Sequence, residues 1–333
     1  MTHARYGDLM SAGRSTPTAR RFDVLALGEP MLEFNQRPGA DDAPTYVQGF
    51  GGDTSNVAIA AARQGARAGY VSRVGTDAFG ERLVALWQRE GVDIEHVARV
   101  EEAPTGIYFV SHDERGHHFS YYRAGSAASR LSPEHVPQGA IASAHAVHVS
   151  GISQAISVSA CDAVFCAIEA ARGAGTLVSY DPNVRPTLWP AARARAIALE
   201  TIAQVDVCLP SLEDATILFG ERAVEGYVDL LLARGARLVA LKLGRDGALV
   251  ATAEERHHVP GFAVESVDAT GAGDTFDGAF LTERVRGATP MVAARYANAA
   301  AALATRGYGA VDPIPRRAEV ERFLSASARA PRR

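Results

Sequence analysis

The chain has 333 residues, 47% apolar and 22% charged, an ordinary globular composition that excludes a fibrous or disordered chain and leaves room for one large α/β unit or two domains of about 150 residues. Lysine plus arginine number 34 against 38 acidic residues, a formal charge of −4, so the basic footprint of a nucleic-acid binder is missing. No apolar run approaches the roughly 20 residues of a bilayer span, and the Ala-rich stretch from Tyr296 to Thr305 is broken by Asn298.

Residues 1–21 carry arginines but no apolar stretch of signal-peptide length, and are expected to be a disordered leader rather than an export signal. Strand-length apolar runs follow in the order FDVLAL, HAVHVS, TLVSYD, VDVCLP and RLVALK. They alternate with helical patterns near residues 54–64, 79–91, 158–173 and 191–203, a rhythm that predicts βαβ units and a mostly parallel sheet covered on both faces. Residues 30–48 and 96–124 break this rhythm. They show period-two patterns, with Ile107, Phe109 and Ser111 set against Tyr108 and Val110 and turn residues from Asp113 to Gly116, so they predict short antiparallel strands forming a flap over the main sheet. Beyond Arg316 the chain reads as a surface helix with a frayed tail over 326–333.

The three cysteines, Cys161, Cys166 and Cys208, are an odd and sparse set, which points to reduced thiols and a cytoplasmic compartment. Lysine occurs once, at Lys242 between two leucines. A Walker A loop needs Gly-Lys-Ser/Thr, so that nucleotide site is excluded. The paired histidines His117–His118 and His257–His258 are poor chelates, because strand neighbours point to opposite faces.

Parallel sheets bind ligands beyond the carboxyl ends of their strands, and there the polar residues concentrate: Ser150 and Gly151, then Asp181, Asn183 and Arg185, then Ser211, Glu213 and Asp214, then Gly244, Asp246 and Gly247. In VDATGAGDTFDGAF the glycines precede a helical pattern with Phe276 and Phe280 one turn apart. The free N–H groups of Gly271, Ala272 and Gly273, at the positive end of a helix dipole, would form an anion site. Asp274 beside it is either a helix-start residue or a base aimed at a reacting hydroxyl, and phosphoryl transfer needs donors and a base in one place. Asp277 reads as a first-turn charge. In GFGGDTSNVAIAAARQG, Gly51 and Gly52 permit close backbone approach, while Asp53 and Asn56 either bond sugar hydroxyls or cap a buried helix.

These two segments, in this order, resemble the paired signatures of the ribokinase-like (PfkB) carbohydrate kinases, over about residues 22–325. The resemblance implies a central, mostly parallel α/β sheet with helices on both faces and a small β lid. It makes Asp274 the catalytic base and Gly271 to Gly273 the anion hole. Within the family, GFGGDTSN, HFSYYRAGSAAS, VSGISQAIS and YDPNVRPTLW are similar to the 2-dehydro-3-deoxygluconate kinases, implying sugar-acid contacts from Gly52, Tyr108, Tyr121, Arg123 and Arg185. Arginine's fork suits a substrate carboxylate.

For ATP, the resemblance implies Ser211, Lys242, Gly244 and Gly247 near the phosphates and Asn298 and Ala301 near the adenine. Where the family often has Asn-x-x-Glu, Ser211 and Asp214 stand, so a Mg²⁺ contact of Asp214 would run through water. Asp268 and Thr270 form either a monovalent-cation site or a structural turn. Lids in this family often make dimer contacts, which implies a homo-oligomer. The rival expectations are a same-fold kinase for a neutral sugar such as fructose or ribose, and a non-catalytic sugar-binding regulator. A dinucleotide oxidoreductase fails on glycine spacing, since Phe276 stands where the third glycine belongs.

Overall fold

The computed structural model of the protein describes residues 20–36, 45–113 and 116–329. Most of the expected leader, the middle of the first flap segment and residues 330–333 of the tail lie outside them. In chain order the strands are β1 (Phe22–Leu27), β2 (Met31–Gln36), β3 (Tyr46–Gly51), β4 (Ala68–Gly75), β5 (Asp93–Val100), β6 (Ile107–Asp113), β7 (Gly116–Tyr122), β8 (Ala144–Ser150), β9 (Leu177–Asp181), β10 (Val207–Cys208), β11 (Leu238–Lys242), β12 (Ala248–Ala251) and β13 (Arg256–Val259).

Nine of these form one sheet in the order β13-β12-β11-β10-β9-β8-β1-β4-β5. All its neighbours pair in parallel except β11–β12 and β12–β13, which close one edge as antiparallel hairpins. Burial on both faces is the reason the central strands read as near-continuous apolar runs. In β1, Leu25 and Leu27 pack into the core on one face, while Val24 and Ala26 point into the cores on the other. The helix Val158–Ala174 covers the first face, and the helices Asp53–Arg63 and Ala272–Val285 cover the second.

Helix ends follow local chemistry. Ser157 accepts from Ala160 N at the start of Val158–Ala174, and Gly175 ends it at φ 65°. Asp77 accepts from Phe79 N and Gly80 N to start Ala78–Glu90, which stops at Gly91 with φ 74°. In each case a polar cap takes orphan N–H groups and glycine supplies the left-handed turn without a Cβ clash. The expected surface helix after Arg316 is Arg317–Arg329.

The second sheet has four strands in the order β3-β2-β6-β7, with β2–β6 parallel and the other pairs antiparallel. It is the small lid, but its bounds differ from expectation. Residues 96–100 belong to β5, which pairs with β4 at the edge of the large sheet; the lid's second half starts at Ile107. Both edge strands and lid strands alternate with period two, so that signal could not separate them. β3 also runs on to Gly51, placing the lid's last residue against Gly52.

Gly52 adopts φ 105°, and a Cβ there would lie 2.3 Å from the Glu29 carbonyl oxygen. Backbone cannot yield as a side-chain tip can. Gly52→Ala is expected to lower the thermal midpoint and cut activity at least about tenfold, through strain of about 1–3 kcal/mol and displacement of the adjoining helix start; a variant with wild-type melting and turnover would contradict this.

Candidate active site

The helix Ala272–Val285 begins at Gly271, which holds φ 73°. A Cβ on Gly271 would lie 2.6 Å from the Ala310 carbonyl oxygen. The bare turn lets Ala310 pack against the helix start, and the Ala272 N–H donates to the Ala269 carbonyl at 3.2 Å. Asp274 sits in that turn, half-buried. The acid and the glycine cradle therefore adjoin.

Asn56 reaches Asp274 from the other glycine-led helix, donating from Nδ2 to Oδ2 at 2.8 Å across a separation of 218 residues. Expected either to bond sugar hydroxyls or to cap its helix, Asn56 here also holds the acid. Burial pushes the Asp274 carboxyl up to about 6, against the Asn56 hydrogen bond that favours its charged form. Asp53, at the first position of the same helix as Asn56, is pushed up to about 7, first by burial and then by the Asp274 charge. Its Oδ1 has no hydrogen-bond partner and its Oδ2 faces Asn183 Nδ2 at 3.5 Å. Asn183 itself holds φ 38°, an unfavourable backbone state for a non-glycine residue.

Both carboxyls have folded-state values above their ordinary 3.8. Their contribution to stability is therefore full at pH below about 4 and is lost as pH rises through about 6 for Asp274 and about 7 for Asp53. Asp53→Asn removes the larger of the two losses, so its midpoint relative to wild type should be higher at pH 8 than at pH 5, by roughly 5 °C or more. Equal differences at the two pH values would show that Asp53 ionises freely.

Beneath the cradle lies a buried charge cluster. The lone lysine, Lys242 at the end of β11, donates to Asp181 Oδ2 at 2.9 Å and to both carboxylate oxygens of Asp277, at 3.1 and 3.2 Å. Its Nζ lies 3.5 Å from where a Cβ on Gly273 would stand. Burial alone would lower the lysine's proton affinity, but the two carboxylates outweigh it and push it up, so the ammonium stays charged behind the anion site. Asp277 is thus not a first-turn charge: it lies beyond the first turn of its helix, is 0% exposed and faces Lys242.

On the lid side, Tyr108 donates to Glu33 Oε2 at 2.5 Å, and its ring lies 5.7 Å from that of Tyr121. A Cβ on Gly51 would meet the Tyr108 hydroxyl at 2.4 Å, so the glycine makes room for this tyrosine. Arg123, directly after β7, is buried and paired with the fully buried Glu29, two residues beyond β1. Arg185 is exposed and donates to its neighbour's carbonyl at Val184. It is close enough for its charge to act on Tyr121, Arg123 and Asp274. Glu29 and Glu33 were not singled out in the sequence; the signal was their place in GEPMLEF, Glu29 in the link from β1 to β2 and Glu33 within β2.

The expected nucleotide residues lie along the other end of the sheet. Gly244 (φ 60°) and Gly247 (φ 97°) form the tight turn between β11 and β12. Asn298 spends Nδ2 on the Val259 and Pro260 carbonyls, at 3.0 and 3.2 Å, anchoring the exit of β13 to the helix Pro290–Ala304, where Ala301 is half-buried. Ser211 and Asp214 cap the helix Leu212–Phe219 reciprocally. Asp214 Oδ2 accepts from Ser211 N and Oγ, at 3.1 and 2.6 Å, and Oδ1 accepts from Val184 N at 2.6 Å. Both oxygens of Asp214 are thus engaged in positioning the chain around this helix start. Among the described residues no three acidic, histidine or cysteine side chains form a metal-holding group. Asp268 accepts from Thr270 N and Oγ1 at 2.9 and 2.6 Å and from Gly309 N at 2.9 Å. Here the pair is a turn lock between two loops.

A model described as pfkB family carbohydrate kinase matches residues 22–317. The chain is 35% identical over 312 residues to a Bacillus subtilis (strain 168) protein named 2-dehydro-3-deoxygluconokinase, covering 92% of this chain and 96% of that one. To a Thermoproteus tenax protein of the same name it is 36% identical, covering 95% and 100%, and to probable fructokinase-4 of Arabidopsis thaliana 33%, covering 91% and 97%. Among solved structures, a PfkB protein from Polaromonas sp. JS666 superposes with TM-score 0.82 at 32% identity, covering 90% and 99%. A putative Ribokinase II from E. coli in complex with ATP and Mg²⁺ superposes at 0.84 with 28% identity, covering 91% and 99%. With a large sheet, a four-stranded lid and an acid beside a glycine-led helix start, the chain belongs to the pfkB family of carbohydrate kinases.

Proposed function

We propose that the protein phosphorylates 2-dehydro-3-deoxy-D-gluconate at its C6 hydroxyl, using ATP. The observation that carries this reading is Arg185, an exposed guanidinium whose charge reaches Asp274; the identity to relatives named for this activity supports it. A sugar acid seated with its carboxylate on Arg185 can extend its far hydroxyl toward Asp274.

The chain's own residues then act in sequence. Asp274, held by Asn56, takes the hydroxyl proton. The oxygen attacks the γ-phosphorus in line, and the bond to the bridging oxygen breaks toward ADP. N–H groups of Gly271 to Gly273 receive the equatorial oxygens, with the Lys242 charge behind them. A magnesium ion accompanying the nucleotide supplies charge neutralisation on the phosphates when bound, and no side chain described above is assigned to it. Closure of the lid would keep water from the phosphate.

ADP release measured with ATP and Mg²⁺ against 2-dehydro-3-deoxygluconate, its galacto epimer, fructose and ribose tests this directly. The sugar acid should give the highest kcat/KM. Arg185→Ala should raise KM for it by about 10- to 100-fold, the loss of one charge-assisted pair, while leaving turnover on any neutral sugar unaltered. Fructose or ribose as the best substrate, insensitive to Arg185, would make the chain a neutral-sugar kinase, the activity named for its fructokinase relatives.

A further inference from the structure

The chain passes between the two sheets beside Glu29, Gly52, Gly106 and Arg123. At this junction Glu29 is 0% exposed and Arg123 8% exposed, and they pair with each other. Burial and the Arg185 charge draw Arg123 down only to about 10, so at neutral pH its guanidinium carries charge. Glu29 Oε1 and Arg123 Nε have no hydrogen-bond partner, and Arg123 lies over the Tyr121 ring at 5.3 Å.

Stability does not explain this pair. A buried ion pair with unmet hydrogen bonds is often no better than apolar side chains of the same volume. What the pair does alter is the number of charges at one end of the cleft. Two adjacent arginines would present two positive charges to a substrate with one carboxylate. With Glu29 cancelling Arg123, one remains in excess, and it is the exposed one.

We propose that Glu29 is a specificity-determining residue that sets the charge of the sugar seat to a single positive excess, by neutralising Arg123 and leaving Arg185 to receive one substrate carboxylate. It acts through Arg123 rather than on the substrate, so it is a positioning residue. The inference rests on the sugar-acid reading above, in that it takes the Arg185 side of the cleft as the anionic end of the seat.

The test counts charges. Dissociation constants of D-gluconate, a monoanion, and D-glucitol, its neutral counterpart, are measured by ligand-observed NMR on the full chain. The wild type should prefer gluconate. In Glu29→Gln, where Arg123 is left uncancelled, the gluconate-to-glucitol preference should rise about tenfold. In Arg123→Met the fully buried Glu29 loses its counter-ion and takes up a proton, so Arg185 again supplies the single excess charge, and both this variant and Glu29→Gln/Arg123→Met should stay within about twofold of the wild-type preference. A merely structural pair predicts equal losses for both ligands. Such equal losses, a Glu29→Gln preference no higher than that of the wild type, or a wild type indifferent to charge would each overturn the proposal. If Glu29→Gln alone does not fold, Arg123→Met and the double variant still decide: an about tenfold fall of the gluconate preference in both would show that Arg123 itself receives the carboxylate. The ADP-release screen judges the substrate reading separately: turnover on the sugar acid with preferences that ignore the charge count would sink only the role of Glu29.

Discussion

Asp274→Asn should lower kcat by at least about 10²-fold while the dissociation constant for ATP stays within a factor of about three. Asparagine keeps the size of the side chain and can still meet Asn56, so the helix start and its N–H groups stay in place. What is lost is the capacity to take a proton. The attacking hydroxyl is a very weak acid, and without a base its proton must leave unaided as the new bond forms.

The pH profile gives an independent check. Burial holds Asp274 at about 6, and only its ionised form can accept a proton. In the wild type, kcat/KM should therefore fall about tenfold per pH unit below about 6, and this limb should vanish from the residual activity of Asp274→Asn. Calorimetric ATP binding with steady-state kinetics separates the outcomes. Wild-type turnover in the variant would remove Asp274 from the chemistry; loss of ATP binding would mean that the anion cradle had collapsed.

The second large effect is expected at the chain's one lysine. Lys242→Met retains the aliphatic volume and deletes the charge between Asp181 and Asp277. Those carboxylates are buried, with Asp277 0% exposed, and would face each other without a counter-ion. Breaking a buried pair from one side costs about 3–5 kcal/mol, so the thermal midpoint should drop by roughly 10 °C. Phosphoryl transfer should suffer too, because the positive charge behind the cradle is gone. Adding Asp277→Asn to Lys242→Met should recover part of the stability and none of the lost transfer rate. Differential scanning calorimetry on the three proteins decides: a Lys242→Met variant as stable as the wild type would show that the cluster is not held by this ion pair.

Much of the molecule was legible from local pattern. The runs FDVLAL and RLVALK are apolar throughout because their strands are covered on both faces, and the helices observed at Asp53–Arg63, Ala78–Glu90, Val158–Ala174 and Ala191–Ile202 fall within about one residue of their periodicity. The cradle at Gly271 to Gly273 and its neighbour Asp274 were readable for the same reason: a helix start and its first-turn acid are contiguous in sequence, so their proximity needs no tertiary information.

Partners that are distant in sequence were not readable. Asn56 could be seen as a polar residue on a helix, but only packing of that helix against Ala272–Val285 points it at Asp274. Asp277 read as a first-turn charge because helical spacing does not say which face is inside; Lys242, brought in from β11, made the inside tolerable for it. Likewise the sequence around Asp214 did not show that Val184 and Ser211 occupy its oxygens, and Glu29 drew no notice until the chain after β7 delivered Arg123 to it. Composition and periodicity thus determined the strands, the helices and the neighbours within contiguous motifs. Tertiary structure alone decided which charges meet, since the energy of a buried ion depends on its counter-ion, and no local pattern records a counter-ion from elsewhere in the chain.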